Sequence, residues 1–499
     1  MNEKPRHIHL IGICGTAMAS LAGLLQLQGH RITGSDKAAY PPMSDLLRSL
    51  NIPILEPYSE RNLSPRPDLV VIGNALSRGN PEIEYVLDQR IPFASMAALL
   101  REEFLCKPAP RGRDSLVVAG THGKTTTTSM LSWVYQCASA ADPALEPSFL
   151  IGGVAENFST SYQLRPTRTF IVEGDEYDTA FFDKGPKFMH YFPDALILTS
   201  VEFDHADIYA DLASVKTAFK RLVNLIPRRG LIVAYDGNTN VDECLAPALC
   251  RVQRYGFSPS AHWRMSNLRH ENGFTRWNLD YDNTPWAGLK LPLAGEHNAL
   301  NATAAAALAF GQGIPKEAIL TALASFKSVK RRLEVRAVIG GITLIDDFAH
   351  HPTAIRETLR ALRSVYPSSR LWAVLEPRSN TLRRKVLEAD LVASLRLADR
   401  VVLAGVYQQQ RIPDAERLHP QDVIEALNGS NSPNEPATAE LHPDADSIVR
   451  AIAPQLARGD VVAILSNGGF DGIYEKLPAA LAARFPSPDL TSKPPVTSW

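Results

Sequence analysis

Hydrophobic positions along the chain gather into short runs, each closed by a polar or glycine-containing turn. The first run, residues 7–11 (HIHLI), meets Gly12-Ile13-Cys14-Gly15-Thr16. Leu21, Leu24, Leu25 and Leu27 follow at helical spacing. A second strand at 31–35 ends on Asp36, and a third covers 68–74 (DLVVIGN). Strand, turn, helix, strand predicts a parallel sheet. A second segment opens with the apolar run 115–118 (SLVV) and carries strands at 169–173 and 195–199, each ending on acidic or hydroxyl residues. It closes with an Ala-rich helical run over 301–310, which suits helix propensity and close packing. A third segment has strands at 342–346, 371–375 and 461–465 with helical stretches between them, the pattern of another doubly wound sheet. The expectation is an α/β chain of three domains: residues 1–110, 111–328 and 329–485. A Pro- and Arg-containing linker is expected at 107–113, an exposed loop at 428–436 and a disordered tail at 486–499.

A length of 499 residues agrees with about three domains. Lys plus Arg (52) balance Asp plus Glu (53), which argues against a polyanion-binding surface and a nucleic-acid partner. The five cysteines form no C-x-x-C pair, so neither a disulfide framework nor a zinc ribbon is indicated. Scattered thiols fit a reducing compartment. No leader-like apolar segment opens the chain, and no apolar run approaches about 18 residues. A cytoplasmic, non-membrane protein is expected.

The densest chemistry lies at 119–128 (AGTHGKTTTT), between a strand and a helix start. Backbone N–H groups and a helix N-terminus there form a phosphate cradle. Lys124 is placed for the β- and γ-phosphates, and the Thr125 hydroxyl for Mg²⁺. The usual G-x-x-x-x-G-K-[ST] spacing would start on Val118, but the nearest earlier glycine is Gly120, so the loop is shortened. The Gly12/Gly15 turn, with Asp36 about 20 positions on, has the offset of a nucleotide-binding βαβ unit but lacks a third glycine. Alone it also admits the reading of a tight βα turn without a ligand. Glu173, at a strand end in Glu173-Gly174-Asp175-Glu176, suits a cation held against a phosphate. Residues 202–207 (EFDHAD) offer carboxylates and an imidazole. Asn298 and Asn301 either cap the Ala-rich helix or bond a nucleotide. Asp346-Asp347-Phe348-Ala349-His350-His351-Pro352 and Glu376-Pro377-Arg378-Ser379-Asn380-Thr381 each close a strand, and Arg378 offers a bidentate fork for a carboxylate.

Taken together, these motifs resemble the muramyl ligase family over about residues 7–480, in family order: Gly12/Gly15, the shortened loop, 173–176, Asp204-His205-x-Asp207, His297-Asn298-x-x-Asn301, Arg331-Arg332, and 346–352. The resemblance implies an N-terminal Rossmann-like domain for a UDP-sugar, a central P-loop ATPase-like domain and a C-terminal Rossmann-like domain. It implies an ATP- and Mg²⁺-dependent ligase that forms an amide bond through an acyl phosphate. His122 in the loop and His351 resemble the branch that extends UDP-N-acetylmuramate. Within it, residues 34–44, 202–207, 376–381 and 466–470 resemble members that attach L-alanyl-γ-D-glutamyl-meso-diaminopimelate. Members that add L-alanine, the competing reading, typically have Pro where Phe203 stands.

By this resemblance Lys124, Glu173 and His205 are catalytic, and Thr125, Glu173 and His205 hold metal. Gly120, Thr121, His122, Gly123, Lys124, Thr125, Thr126, Asn298, Asn301, Arg332 and Asp346 bind ATP. Gly12, Cys14, Gly15, Thr16, Ser35, Asp36 and Asn74 bind the UDP-sugar, and His351, Arg378, Ser379 and Asn380 face the amino substrate. A monomer or weak homo-oligomer is expected. Sister ligases carry a carbamoylated lysine at the second metal; Lys216 and Lys220 are nearby in sequence without aligning to that role. Ser200 stands where the family usually has Asn.

Overall fold

The computed structural model describes residues 4–39, 43–107, 112–429 and 438–486. Residues 108–111 of the expected linker, 430–436 of the expected loop, 487–499 of the expected tail and Tyr40-Pro41-Pro42 lie outside the described residues. Three α/β units follow one another, each with its own sheet.

The first sheet has five parallel strands in the order Ile54–Leu55, Arg31–Ser35, His7–Ile11, Leu69–Ile72, Phe93–Ser95. Leu21, Leu24 and Leu25 of the helix Thr16–Leu27 are fully buried with Ile8, Leu10 and Val71, as the spacing requires.

The central sheet has ten strands. Its phosphate-loop strand, Asp114–Ala119, lies between Ala195–Leu198 and Thr169–Gly174. Ala119 is level with both Gly174 and Leu198, so the acidic residues that follow the two neighbours open beside the loop. Ligands gather at such strand ends in α/β sheets. The helix Lys124–Ala138 packs against Glu296–Gly311, whose Ala304–Ala307 methyls are wholly buried. That helix starts five residues before the predicted run. An antiparallel meander, Trp263–Glu271, Phe274–Tyr281 and Thr284–Leu291, extends the sheet and was not predicted. Its buried Trp263, Met265, Trp277, Leu279, Leu289 and Leu291 alternate with polar positions, and Asn272-Gly273 and Asp282-Asn283 make the turns.

The third sheet has six strands, in the order Glu334–Ile339, Ile342–Asp347, Val461–Leu465, Leu371–Leu375, Arg400–Ala404, Thr438–His442; all but the first are parallel. Asp347, Leu465 and Leu375 are level, which aligns the polar segments that follow these strands. Among the described residues no helix is long and apolar enough to cross a membrane.

Candidate active site

Gly123 caps the helix Lys124–Ala138 at φ +81°, and a Cβ there would lie 2.5 Å from Asn301 Oδ1. Backbone conformation and close approach both demand glycine. Residues after the neighbouring strand pin the loop: Thr121 N donates to Ser200 O (2.9 Å) and His122 N to Ser200 Oγ (3.1 Å). Ser200, the departure from the family, therefore holds the loop with both its carbonyl and its hydroxyl. Lys124 Nζ folds back to Gly120 O (2.8 Å) and Glu176 Oε2 (2.8 Å). Burial works against its charge, but Glu176 and Asp175 outweigh burial and raise its pKa. Thr125 Oγ1 donates to Glu173 Oε1 (3.1 Å), and Gly152 N to Glu173 Oε2 (2.8 Å). Burial raises the Glu173 pKa despite Lys124.

Asp175, Glu176 and His205 bring one ligand atom each to within 4.8 Å of one another. Lys187 pairs with Asp175 (2.7 Å), and His205 Nε2 lies 3.4 Å from Glu176. Burial opposes the His205 charge, but its bond to Glu176 and the charge of Asp204 raise it to about 9. A hydroxyl, three carboxylates and an imidazole beside a phosphate loop fit a hard divalent cation. Sequence reasoning gave no role to Asp175 or Glu176; their place directly after Glu173 was the available signal. Lys216 pairs with Glu243 (2.9 Å) on the helix Leu212–Asn224.

A second cluster joins the central and C-terminal units. Glu202 Oε2 meets His122 Nε2 (3.2 Å) and accepts from Thr353 Oγ1 (2.7 Å). Burial would raise Glu202, yet bonds from His122 and Thr353 hold it at about 2. The rings of His122 and His351 lie 4.7 Å apart. His351 Nδ1 accepts from Thr353 N (3.3 Å), capping the helix Pro352–Val365, and burial lowers its pKa to about 4. Thr381 Oγ1 donates to Asp204 (2.6 Å), and Asn380 Nδ2 to Asp207 (2.8 Å).

Two clefts meet at this core. One, about 320 Å³, is lined by His122, Gly123, Thr125, Thr126, Asn298, Asn301 and Arg332 from the predicted set, together with Tyr235, Asn238, His297 and Asp347. Asp346 does not line it: its carboxylate lies 3.3 Å from Arg331 Nε, while Asp347 faces the cleft and accepts from Leu333 N (2.7 Å). The other, about 260 Å³, carries Gly15, Thr16 and Asn74 across to Gly152, Glu173, Asp175 and Lys187. The remaining predicted sugar-site residues build its turn. Gly12 N donates to Ser35 O (2.8 Å), Cys14 N to Asp36 Oδ2 (2.9 Å), and the Ser35 hydroxyl bonds Glu82. Burial and then Asp36 push the Cys14 thiol up to about 12, so it is no nucleophile. Ser379 Oγ donates to His350 O (3.1 Å) after the neighbouring Ile342–Asp347 strand and accepts from Leu382 N (3.0 Å) in its own turn. Arg378 Nη1 donates to Glu376 (3.2 Å).

Comparison with known proteins gives matches in all three units. Residues 7–104 match "Mur ligase family, catalytic domain", 118–309 "Mur ligase middle domain" and 331–468 "Mur ligase, glutamate ligase domain". The chain is 41% identical over 479 residues to the UDP-N-acetylmuramate–L-alanyl-gamma-D-glutamyl-meso-2,6-diaminoheptandioate ligase of Escherichia coli (strain K12), covering 96% of this chain and 98% of the relative. It is 31% identical over 471 residues to the UDP-N-acetylmuramate–L-alanine ligase of Acetivibrio thermocellus, covering 93% and 94%. Among solved structures it is similar to a murein peptide ligase from Psychrobacter arcticus, at 35% identity and a TM-score of 0.71, covering 95% of this chain and 98% of that one.

Proposed function

Since the chain belongs to the Mur ligase family, we propose that it joins UDP-N-acetylmuramate to L-alanyl-γ-D-glutamyl-meso-diaminopimelate at the expense of ATP, the step that returns recovered peptide to peptidoglycan synthesis. One observation carries the reading: Thr125 lines the nucleotide cleft, Glu173 lines the cleft reached from the first domain, and the two are bonded at 3.1 Å. A nucleotide and an acidic sugar substrate would meet at that bond.

A carboxylate is a poor electrophile. Its oxygen attacks the γ-phosphorus of ATP, the bond to ADP breaks, and an acyl phosphate forms. The peptide amine then attacks the acyl carbon, phosphate departs with the C–O electrons, and the amine loses a proton. The protein neutralises and aligns crowded anions. Lys124 would leave Glu176 for the transferring phosphoryl group. Thr125 and Glu173 would hold one Mg²⁺, and His205 with Asp175 and Glu176 a second. Bound Mg²⁺ supplies positive charge to phosphate oxygens. Asn301, Arg332 and Asp347 would face the nucleotide, while Gly15, Thr16 and Asn74 would face the UDP-sugar. His351, Arg378 and Asn380 would face the peptide. The tripeptide reading is supported by higher identity to the tripeptide ligase than to the L-alanine ligase. The test is phosphate release with ATP and UDP-N-acetylmuramate, offering tripeptide or L-alanine. Turnover with tripeptide and not with L-alanine is expected; turnover with L-alanine and not with tripeptide would reverse the assignment.

A further inference from the structure

Arg378 lies in a built slot. Its Cζ stands 3.8 Å from the centroid of the Tyr407 ring. On another side, a Cβ added to Gly468 would fall 2.1 Å from Nε and 2.4 Å from Cζ. The guanidinium therefore has an aromatic face on one side and bare backbone close by on another. Both walls are themselves held. Tyr407 N donates to Pro377 O (3.1 Å), and its hydroxyl accepts from Gln408 Nε2 (3.0 Å). Arg331 Nη2 donates to Ser466 O (2.8 Å) and Gly468 O (2.9 Å), which fixes the Gly468 turn. Glu376, buried and bonded to the Ser466 hydroxyl, takes Arg378 Nη1. The ring contact and the bond to Glu376 restrain the cation from two directions.

We propose that Tyr407 and Gly468 are positioning residues that hold the Arg378 guanidinium so that the edge not bonded to Glu376 receives a carboxylate of the incoming peptide. A planar fork held in this way rewards a carboxylate that approaches edge-on with two parallel bonds. A lysine could not be fixed so, having no plane to stack. The inference rests on the reading that Arg378 meets the peptide, and the experiment separates the two.

Steady-state constants for tripeptide and ATP are measured on the full chain carrying Arg378→Ala, Tyr407→Ala, Tyr407→Phe or Gly468→Ala. Loss of a cation–π contact in a partly buried site corresponds to about tenfold in binding. Tyr407→Ala and Gly468→Ala are expected to raise the tripeptide KM about tenfold, with kcat and the ATP KM changed less than about twofold. Tyr407→Phe, which keeps the ring, is expected to rescue the KM. A merely structural role would move the ATP KM as well. If Arg378→Ala raises the tripeptide KM while Tyr407→Ala and Gly468→Ala do not, the slot is idle and the inference fails alone. An unchanged KM in Arg378→Ala overturns the reading beneath it. If Tyr407→Ala does not fold, Gly468→Ala decides.

Discussion

Lys124→Ala removes a charge with two partners, and the structure separates their effects. Glu176 is 2% exposed and is paired with Lys124 at 2.8 Å. Stripping one partner from a buried pair costs about 3–5 kcal/mol. Here His205 Nε2 remains 3.4 Å from Glu176 and keeps it partnered. The loss of stability should fall near the lower end, about 3 kcal/mol. The catalytic loss is separate. A unit charge about 4 Å from the transferring phosphoryl group is worth about 4 kcal/mol at an effective dielectric of 20, or about a thousandfold in kcat. The assay pairs ADP release at saturating substrates with urea denaturation. Lys124→Ala should lose both stability and turnover. Lys124→Ala with Glu176→Gln should recover most of the stability and none of the turnover. A kcat within about tenfold of the parent in Lys124→Ala would show that Lys124 does not stabilise the transferring phosphoryl group. So would turnover that returns together with stability in the double variant, since Lys124 would then be only a counter-ion.

Three further outcomes follow from the same geometry. Arg378→Ala should raise the tripeptide KM by about 30-fold, the worth of charge-assisted bonds of about 2 kcal/mol, and leave the ATP KM nearly unchanged; steady-state kinetics would detect it. Burial holds His351 at about 4 in the folded chain, below its ordinary 6.5, so between these values the unfolded chain binds more protons and stability is lost as the pH falls. From about pH 7 to about pH 5 that cost is about 2 kcal/mol, and His351→Gln should lose that much less in urea denaturation over the interval. Thr381→Val deprives buried Asp204 of a 2.6 Å donor. It should cost about 1–3 kcal/mol and speed hydrogen exchange in residues 204–209, and unchanged exchange would count against a seam held there.

The parallel strands were legible because both their faces are buried, which leaves unbroken apolar runs such as 69–72 and 195–198. The meander at 263–291 alternates buried and solvated positions, a weaker signal, and it passed unread. The phosphate loop and its carboxylates were legible as local motifs. Direction was not. Adjacent residues on a strand point to opposite faces, so the Asp346-Asp347 pair could not reveal which member enters the cleft. Contacts made across the fold left no local trace either. Glu202 with Thr353 and Asp204 with Thr381 span more than 150 residues, and Tyr407 is a lone aromatic after a strand. Ser200 stands where the family usually has Asn and offers a hydroxyl of shorter reach. The fold shows how a short side chain serves, since its carbonyl does half the work.

The most direct test is a single-vessel competition. The purified chain receives ATP, Mg²⁺, UDP-N-acetylmuramate, and equimolar tripeptide and L-alanine, and the products are resolved by mass spectrometry. UDP-N-acetylmuramoyl-tripeptide should accumulate in step with ADP. Accumulation of UDP-N-acetylmuramoyl-L-alanine instead would contradict the tripeptide assignment.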